Sequence, residues 1–193
     1  MKRQIRRGAF ETNSSSTHAI CITKDVGGYE KMDYVEFEIG EFGWETATHY
    51  DTDSKASYLI TAIFSFNKDY ADGNLQKLKD ILNENNIGYS IPSPKVESYK
   101  YDDEIEYYYD IDGYIDHSHD TKEFVEAVLS DSDKLMRYLF GDSFVVTGND
   151  NGYGYSERMY VREGEEVYDF GTFPRYGSLK PEFDNYEIYE KGN

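Results

Sequence analysis

The sequence predicts an α+β fold: a mixed or antiparallel sheet with about four helices packed on it, in a single domain spanning residues 1–193. Three observations carry this. Four segments combine capping residues with apolar stripes at helical spacing, whereas other apolar residues fall in short alternating runs. Strand-rich stretches are each followed by a pair of helices, which differs from strict βαβ alternation. At 193 residues, the chain is long enough to bury a core of its own.

Taken in order, residues 2 to 7 read as the start of a short strand, followed by a polar run from Glu11 to His18. His18 to Thr23 alternates and reads as a strand, and Gly27-Gly28 is a turn. Tyr34 to Gly40 alternates cleanly: Val35, Phe37 and Ile39 share one face, and Glu36 and Glu38 the other. Gly40 to Tyr50, which holds Trp44, reads as a loop. Asp51-Thr52-Asp53-Ser54 offers N-caps to a buried helix over Lys55 to Asn67. A second helix, Asn74 to Asn85, aligns Leu75, Leu78, Ile81 and Leu82, with Gly88 as a break beyond its end. Pro92 and Pro94 mark an extended connector.

The alternation of Ile105, Tyr107, Tyr109 and Ile111 predicts a strand with one buried face. Helices are expected over Lys122 to Leu129, behind Asp120 or Thr121, and over Lys134 to Phe140, behind Asp131-Ser132-Asp133. Ser143 to Thr147 reads as a strand and Asn149 to Gly152 as a turn. Further strands are expected over Met159 to Arg162 and Glu166 to Phe170. The remainder, with Pro174 and Pro181, reads as irregular.

Net charge is −18, distributed unevenly. Residues 1 to 24 hold five cations against Glu11 alone, so this segment is +4 and the rest −22. Such a surface repels nucleic acid and anionic membranes and suits a basic partner. Only 38% of residues are apolar, yet 17% are aromatic, and 20 of the aromatic side chains are Tyr. That aromatic share argues against disorder. Cys21 is the only cysteine, which excludes an intramolecular disulfide and fits a reducing compartment. It lies in Ala19-Ile20-Cys21-Ile22 and reads as a buried strand residue. No run approaches a membrane span and the basic N-terminus has no apolar segment behind it, so cytoplasmic localisation is expected.

Four motifs bear on chemistry. The first, Glu11 to His18, offers a carboxylate, an amide, hydroxyls and an imidazole. Ser14, Ser15 or Ser16 can serve as nucleophile with His18 as base, or the hydroxyls can cradle a phosphate near Arg6 and Arg7. The competing reading is a loop satisfied by its own side chains. No G-x-S-x-G elbow is present.

The second, Asp116-His117-Ser118-His119-Asp120, has metal-ligand residue types without the spacing of a binuclear metallohydrolase, since Thr121 and Lys122 stand where further ligands belong. Asp110-x-Asp112-Gly113 lacks the closing Glu of a calcium loop. No metal and no cofactor is expected. The third is the Tyr-rich segment 97–120, where nine acidic side chains face only Lys100. Acids beside aromatics can imitate the charge and stacking surface of nucleic acid. The fourth, Asn149 to Ser156, has a G-x-G too short for a dinucleotide site and reads as a turn.

The opening R-R-G-A-F-E-T-N-S-S-S-T-H resembles, over Met1 to Thr23, a group of small proteins from phages, prophages and Gram-positive bacteria. In general character the chain is similar to acidic phage-encoded inhibitors of bacterial defence, including anti-CRISPR proteins that imitate DNA. These resemblances imply an inhibitor acting in the host cytoplasm. The expected function is an acidic protein that occupies a basic or nucleic-acid-binding surface of a partner protein, with no direct nucleic-acid or membrane binding. Asp102, Asp103, Glu104, Glu106, Asp110 and Asp112 would meet Lys or Arg, and Tyr107, Tyr108 and Tyr109 would supply apolar anchoring. The alternative is an enzyme or nucleotide-binding protein using Glu11, Asn13, Ser14, Ser15, Ser16, Thr17 and His18, with Glu11 or His18 moving a proton.

Overall fold

A computed structural model describes residues 16–43, 45–101, 104–149, 159–162 and 177–191. The strand expected over 2–7, the polar run up to Ser15, most of the Asn149–Ser156 turn and the strand over 166–170 lie outside these residues. In chain order the elements are β1 (Ser16–Thr23), β2 (Tyr34–Glu36), β3 (Glu41–Phe42), β4 (Ala47–His49), α1 (Thr52–Phe64), α2 (Lys68–Glu84), β5 (Gly88–Ser90), β6 (Lys95–Tyr101) and β7 (Glu104–Asp110). There follow β8 (Tyr114–Ile115), α3 (Lys122–Val128), α4 (Ser132–Phe140), β9 (Phe144–Asn149), β10 (Tyr160–Arg162), β11 (Gly177–Leu179) and β12 (Tyr186–Lys191). The fold is α+β, as expected, with parallel and antiparallel pairings both present.

The central sheet is antiparallel, in the order β12-β1-β9-β4. All eight residues of β1 are buried, because both faces of the sheet are covered. Ile20 and Ile22 face the main core with Val145 and the helices. Ala19 and Cys21 face a smaller cluster with Phe144, Val146, Met159 and Ile188. Burying Cys21 raises its thiol pKa strongly. Strand β12 corrects the expectation of an irregular C-terminal region: its Tyr186 and Ile188 alternate with Glu187 and Tyr189 to serve the two faces.

Helix α1 starts where the sequence places its caps, with the Asp51 carboxylate accepting from Ser54 N–H at 2.8 Å. It is apolar around most of its circumference and fills the middle of the core. Helix α2 begins earlier than expected, because Asn67 caps it by accepting from Tyr70 N–H at 3.0 Å. Its Leu75, Leu78, Ile81 and Leu82 are buried, and Asn86 then turns the chain with φ at 59°. Asp131 caps α4. The Nζ of Lys55 donates to Gly141 O and Ser143 O at 3.0 and 3.1 Å, covering carbonyls at the far end of α4. Lys134 donates to Glu187 at 2.7 Å and Arg137 to Thr23 O at 2.5 Å, tying α4 to β12 and to the end of β1.

Val35 and Phe37 are buried as the alternation requires, but β2 stops at Glu36 and pairs in parallel with β5. The expected loop over Gly40 to Tyr50 contains two short strands: β3 pairs in parallel with β8, and β4 borders the central sheet. Among the described residues, no helix is long and apolar enough to cross a membrane.

Candidate functional site

Only the end of the Glu11–His18 run is described, and there Ser16, Thr17 and His18 are strand residues of β1. His18 has no exposed surface. Its Nε2 lies 2.9 Å from Gly43 O, and its Nδ1 lies 2.9 Å from the Tyr58 hydroxyl. A carbonyl can only accept, so the ring proton is on Nε2 and Nδ1 accepts from Tyr58. The pKa of the imidazole falls to about 3, first through burial and next through the nearby charge of Lys191. Held neutral with both nitrogens engaged, this His ties β1 to α1 and to the segment after β3.

Lys191, the register partner of His18 across the ladder, is also fully buried. Its Nζ donates to the carbonyl and to the hydroxyl of Ser16, each at 2.5 Å, and the Ser16 hydroxyl donates to Asp116 O at 3.3 Å. Burial lowers the amine pKa to about 8, against the opposing pull of Asp116 and Asp120. A hydroxyl beside an amine poised near neutrality has the chemistry of a nucleophile and its base. Here neither residue is exposed, and neither lines either groove described below. Glu11, Asn13, Ser14 and Ser15 lie outside the described residues.

Asp116 to Asp120 forms a tight turn entered through His117, whose φ is 51°. His119 meets Asp120 at 3.0 Å. Among the described residues, no group of three or more His, Cys, Asp or Glu is arranged to hold a metal.

The acidic Tyr-rich segment supplies most of the β6–β7 hairpin, whose register decides what it can do. Tyr101 pairs with Glu104, Tyr99 with Glu106, Glu97 with Tyr108, and Val96 with Tyr109. Side chains alternate between faces, so the three consecutive tyrosines do not act together. Tyr108 shares a face with Glu97, Tyr99, Glu104, Glu106 and Asp110. Tyr107 and Tyr109 share the other with Val96 and Ile105.

The first face is a checkerboard. Tyr99 and Tyr108 occupy one diagonal, with ring centroids 5.8 Å apart, and Glu97 and Glu106 occupy the other. The Tyr99 hydroxyl donates to Glu97 at 2.8 Å and the Tyr108 hydroxyl to Glu106 at 2.5 Å, which sets each carboxylate beside a ring. Glu97, Glu104, Glu106 and Asp110 are all exposed. This arrangement offers a guanidinium or ammonium group an aromatic surface flanked by negative charge.

The second face corrects the expectation of a buried side. Tyr109 is anchored: its ring packs edge-on against Phe64 with centroids 4.9 Å apart, and its hydroxyl donates to Asp72. Further out the hairpin overhangs the body, leaving Val96 44%, Tyr107 52% and Ile105 58% exposed. Of the residues expected at the interface, Glu104, Glu106, Tyr108 and Asp110 share the checkerboard face, Tyr107 lies opposite and Tyr109 serves as the anchor. Asp112 is exposed beyond the hairpin, and Asp102 and Asp103 lie outside the described residues. Glu97 and Tyr99 fall outside the interface expected from sequence. The signal for them was the alternation of Lys95 to Tyr101, whose parity fits this hairpin register.

Beside the anchor runs a groove of about 580 Å³, lined by Phe64, Asp72, Leu75, Tyr89, Ile91 and Tyr109. A second, of about 410 Å³, has Glu36, Glu38, Glu41, Asp53, Phe42 and His49 in its walls. Comparison of the chain with known protein families, curated proteins and solved structures finds no match.

Proposed function

We propose that this chain binds a basic protein through the checkerboard face of the β6–β7 hairpin, occupying a surface that otherwise meets nucleic acid. The supporting observation is the square in which the exposed carboxylates of Glu97 and Glu106 alternate with the half-buried rings of Tyr99 and Tyr108. Nucleic acid presents negative charge alternating with flat stacking surfaces, and this face presents the same two features in carboxylates and phenols. An exposed carboxylate pair with Lys or Arg is worth only about 0.2–1 kcal/mol, and a cation over a Tyr ring about 0.5–2 kcal/mol. Affinity must therefore come from several such contacts, and the charge of −18 acts mainly by accelerating encounter. The N-terminal resemblance to phage and prophage proteins supports reading this activity as inhibition of a defence protein in a host cytoplasm.

The test is a salt-graded capture from bacterial lysate, comparing wild type with a Glu97→Lys, Glu106→Lys double variant. The expected result is a stoichiometric nucleic-acid-binding protein that is retained by wild type, displaced by duplex DNA and lost with the variant. Equal retention by both proteins would refute the reading.

A further inference from the structure

We propose that the groove beside Tyr109 is a binding site for a small aromatic acid, a flat apolar ring system carrying one anionic group. This site stands apart from the partner-binding function proposed above. At about 580 Å³ the groove falls within the size range of small-molecule sites, roughly 300–1,000 Å³. Phe64, at the end of α1, and Leu75, in α2, are buried and form its floor. Half-buried Tyr89, Ile91 and Tyr109 stand beside them. Pro92 and Pro94, also in the lining, add apolar rings with no N–H to satisfy. The Phe64 and Tyr109 rings meet edge-on at 71°, a corner in which a third ring can stack on one and meet the edge of the other.

The polar groups of the groove select the charge of its ligand. Asp72 is engaged through both oxygens: Tyr109 donates to Oδ1 and Lys68 to Oδ2. Gln76 donates its amide to Asp80 at 2.7 Å. Lys79 differs from the other two lysines of α2, which donate to Asp72 and Asn74. It is half-buried in the groove lining, with no hydrogen bond or ion pair among the described residues. With Asp72 offset by Lys68, Lys79 leaves the groove one positive charge in surplus, in a chain whose net charge is −18. An ammonium group beside an apolar cavity holds the anionic end of an acid through a charge-assisted hydrogen bond, while the rings take up its body. A cationic ligand finds no equivalent partner, because both oxygens of Asp72 are taken. An acid without a ring leaves the floor uncovered.

The probe is naphthoate, compared with naphthamide, which keeps the shape without the charge, and with naphthylmethylammonium, which reverses it. An amide-resolved NMR titration of the full chain reads affinity and location together. Naphthoate should bind at least about tenfold more tightly than either analogue, with shifts clustered at Leu75 to Lys79 and Tyr89 to Ser93. Lys79→Gln removes no described contact, so the fold should be retained. It should weaken naphthoate by about the same factor and leave naphthamide unchanged. Equal affinity for naphthoate and naphthamide, or naphthoate binding indifferent to Lys79→Gln, would overturn the proposal. So would a preference for the ammonium analogue, shifts clustered away from the groove, or no saturable shift at millimolar ligand. None of these outcomes bears on capture of a basic partner by the checkerboard face, which the Glu97→Lys, Glu106→Lys variant tests separately.

Discussion

The Tyr58 hydroxyl donates to Nδ1 of His18 at 2.9 Å, joining α1 to β1 through two side chains with no exposed surface. Because Gly43 O holds the other ring nitrogen, protonating His18 would put a second proton where Tyr58 now donates. Burial, reinforced by Lys191, lowers the native pKa to about 3, whereas the unfolded chain titrates near 6.5. Between these values the unfolded state binds a proton that the native state does not, so stability falls as pH falls. The slope approaches about 1.4 kcal/mol per pH unit. Urea unfolding between pH 6.5 and 5, above the range where carboxylates titrate, should show this loss, and a His18→Gln variant should flatten it. An unchanged slope in the variant would mean that His18 is not its source.

Tyr58→Phe isolates the hydrogen bond. It leaves ring packing with Phe42 and Phe124 in place but strands a buried acceptor on His18. The expected cost is about 1–3 kcal/mol at neutral pH, read from the denaturation midpoint. A neutral effect would show that water or a flipped ring satisfies Nδ1.

How much of this was legible in the sequence depends on the distance over which each feature is decided. Caps such as Asp51 and Asp131 act within three residues, and the α2 stripe acts within one helix, so both were readable. Strand β12 was not, because its partner β1 lies more than 160 residues away and its own residues mix Tyr, Glu and Lys. The partners of His18 are likewise remote, 25 and 40 residues along the chain. Alternation in β7 was readable, but alternation names two faces without saying which one is covered. Tyr109 follows that pattern into the body, while Ile105 and Tyr107 follow it into solvent. The checkerboard needed the register, which no single strand contains.

The division of labour between neighbouring tyrosines gives a direct comparison. Tyr109→Ala removes the ring from Phe64 and the hydroxyl from Asp72, and should cost about 2–4 kcal/mol. Tyr107→Ala, at a half-exposed ring, should change stability by no more than about 0.5 kcal/mol. Thermal denaturation of the two variants side by side checks this, and equal losses would contradict the assigned faces.

Two glycines should respond oppositely to Ala. At Gly113 an added Cβ would stand 2.4 Å from Gly40 O and 2.5 Å from Cγ2 of Ile39, so the β3–β8 contact must shift. The expected cost is about 1–3 kcal/mol. At Gly73, inside α2, an added Cβ meets nothing within 4 Å, and the substitution should stabilise by about 0.5–1 kcal/mol. Urea midpoints of the two variants should therefore move to opposite sides of wild type.

Lys191 and His18 face the same buried region from paired positions, so altering one should be felt at the other. Lys191→Met keeps the length of the side chain and removes a charge whose burial is already costly enough to lower its pKa to about 8. It also removes the two hydrogen bonds to Ser16. These opposing effects should leave net stability at neutral pH within about 1–2 kcal/mol of wild type. The decisive readout is the imidazole itself. With the neighbouring positive charge gone, the native pKa of His18 should rise, so an NMR titration of its ring should move toward higher pH. The acid destabilisation should shrink with it, because the gap between native and unfolded pKa values narrows. A His18 titration indifferent to Lys191→Met would rule out Lys191 as a cause and leave burial as the main one.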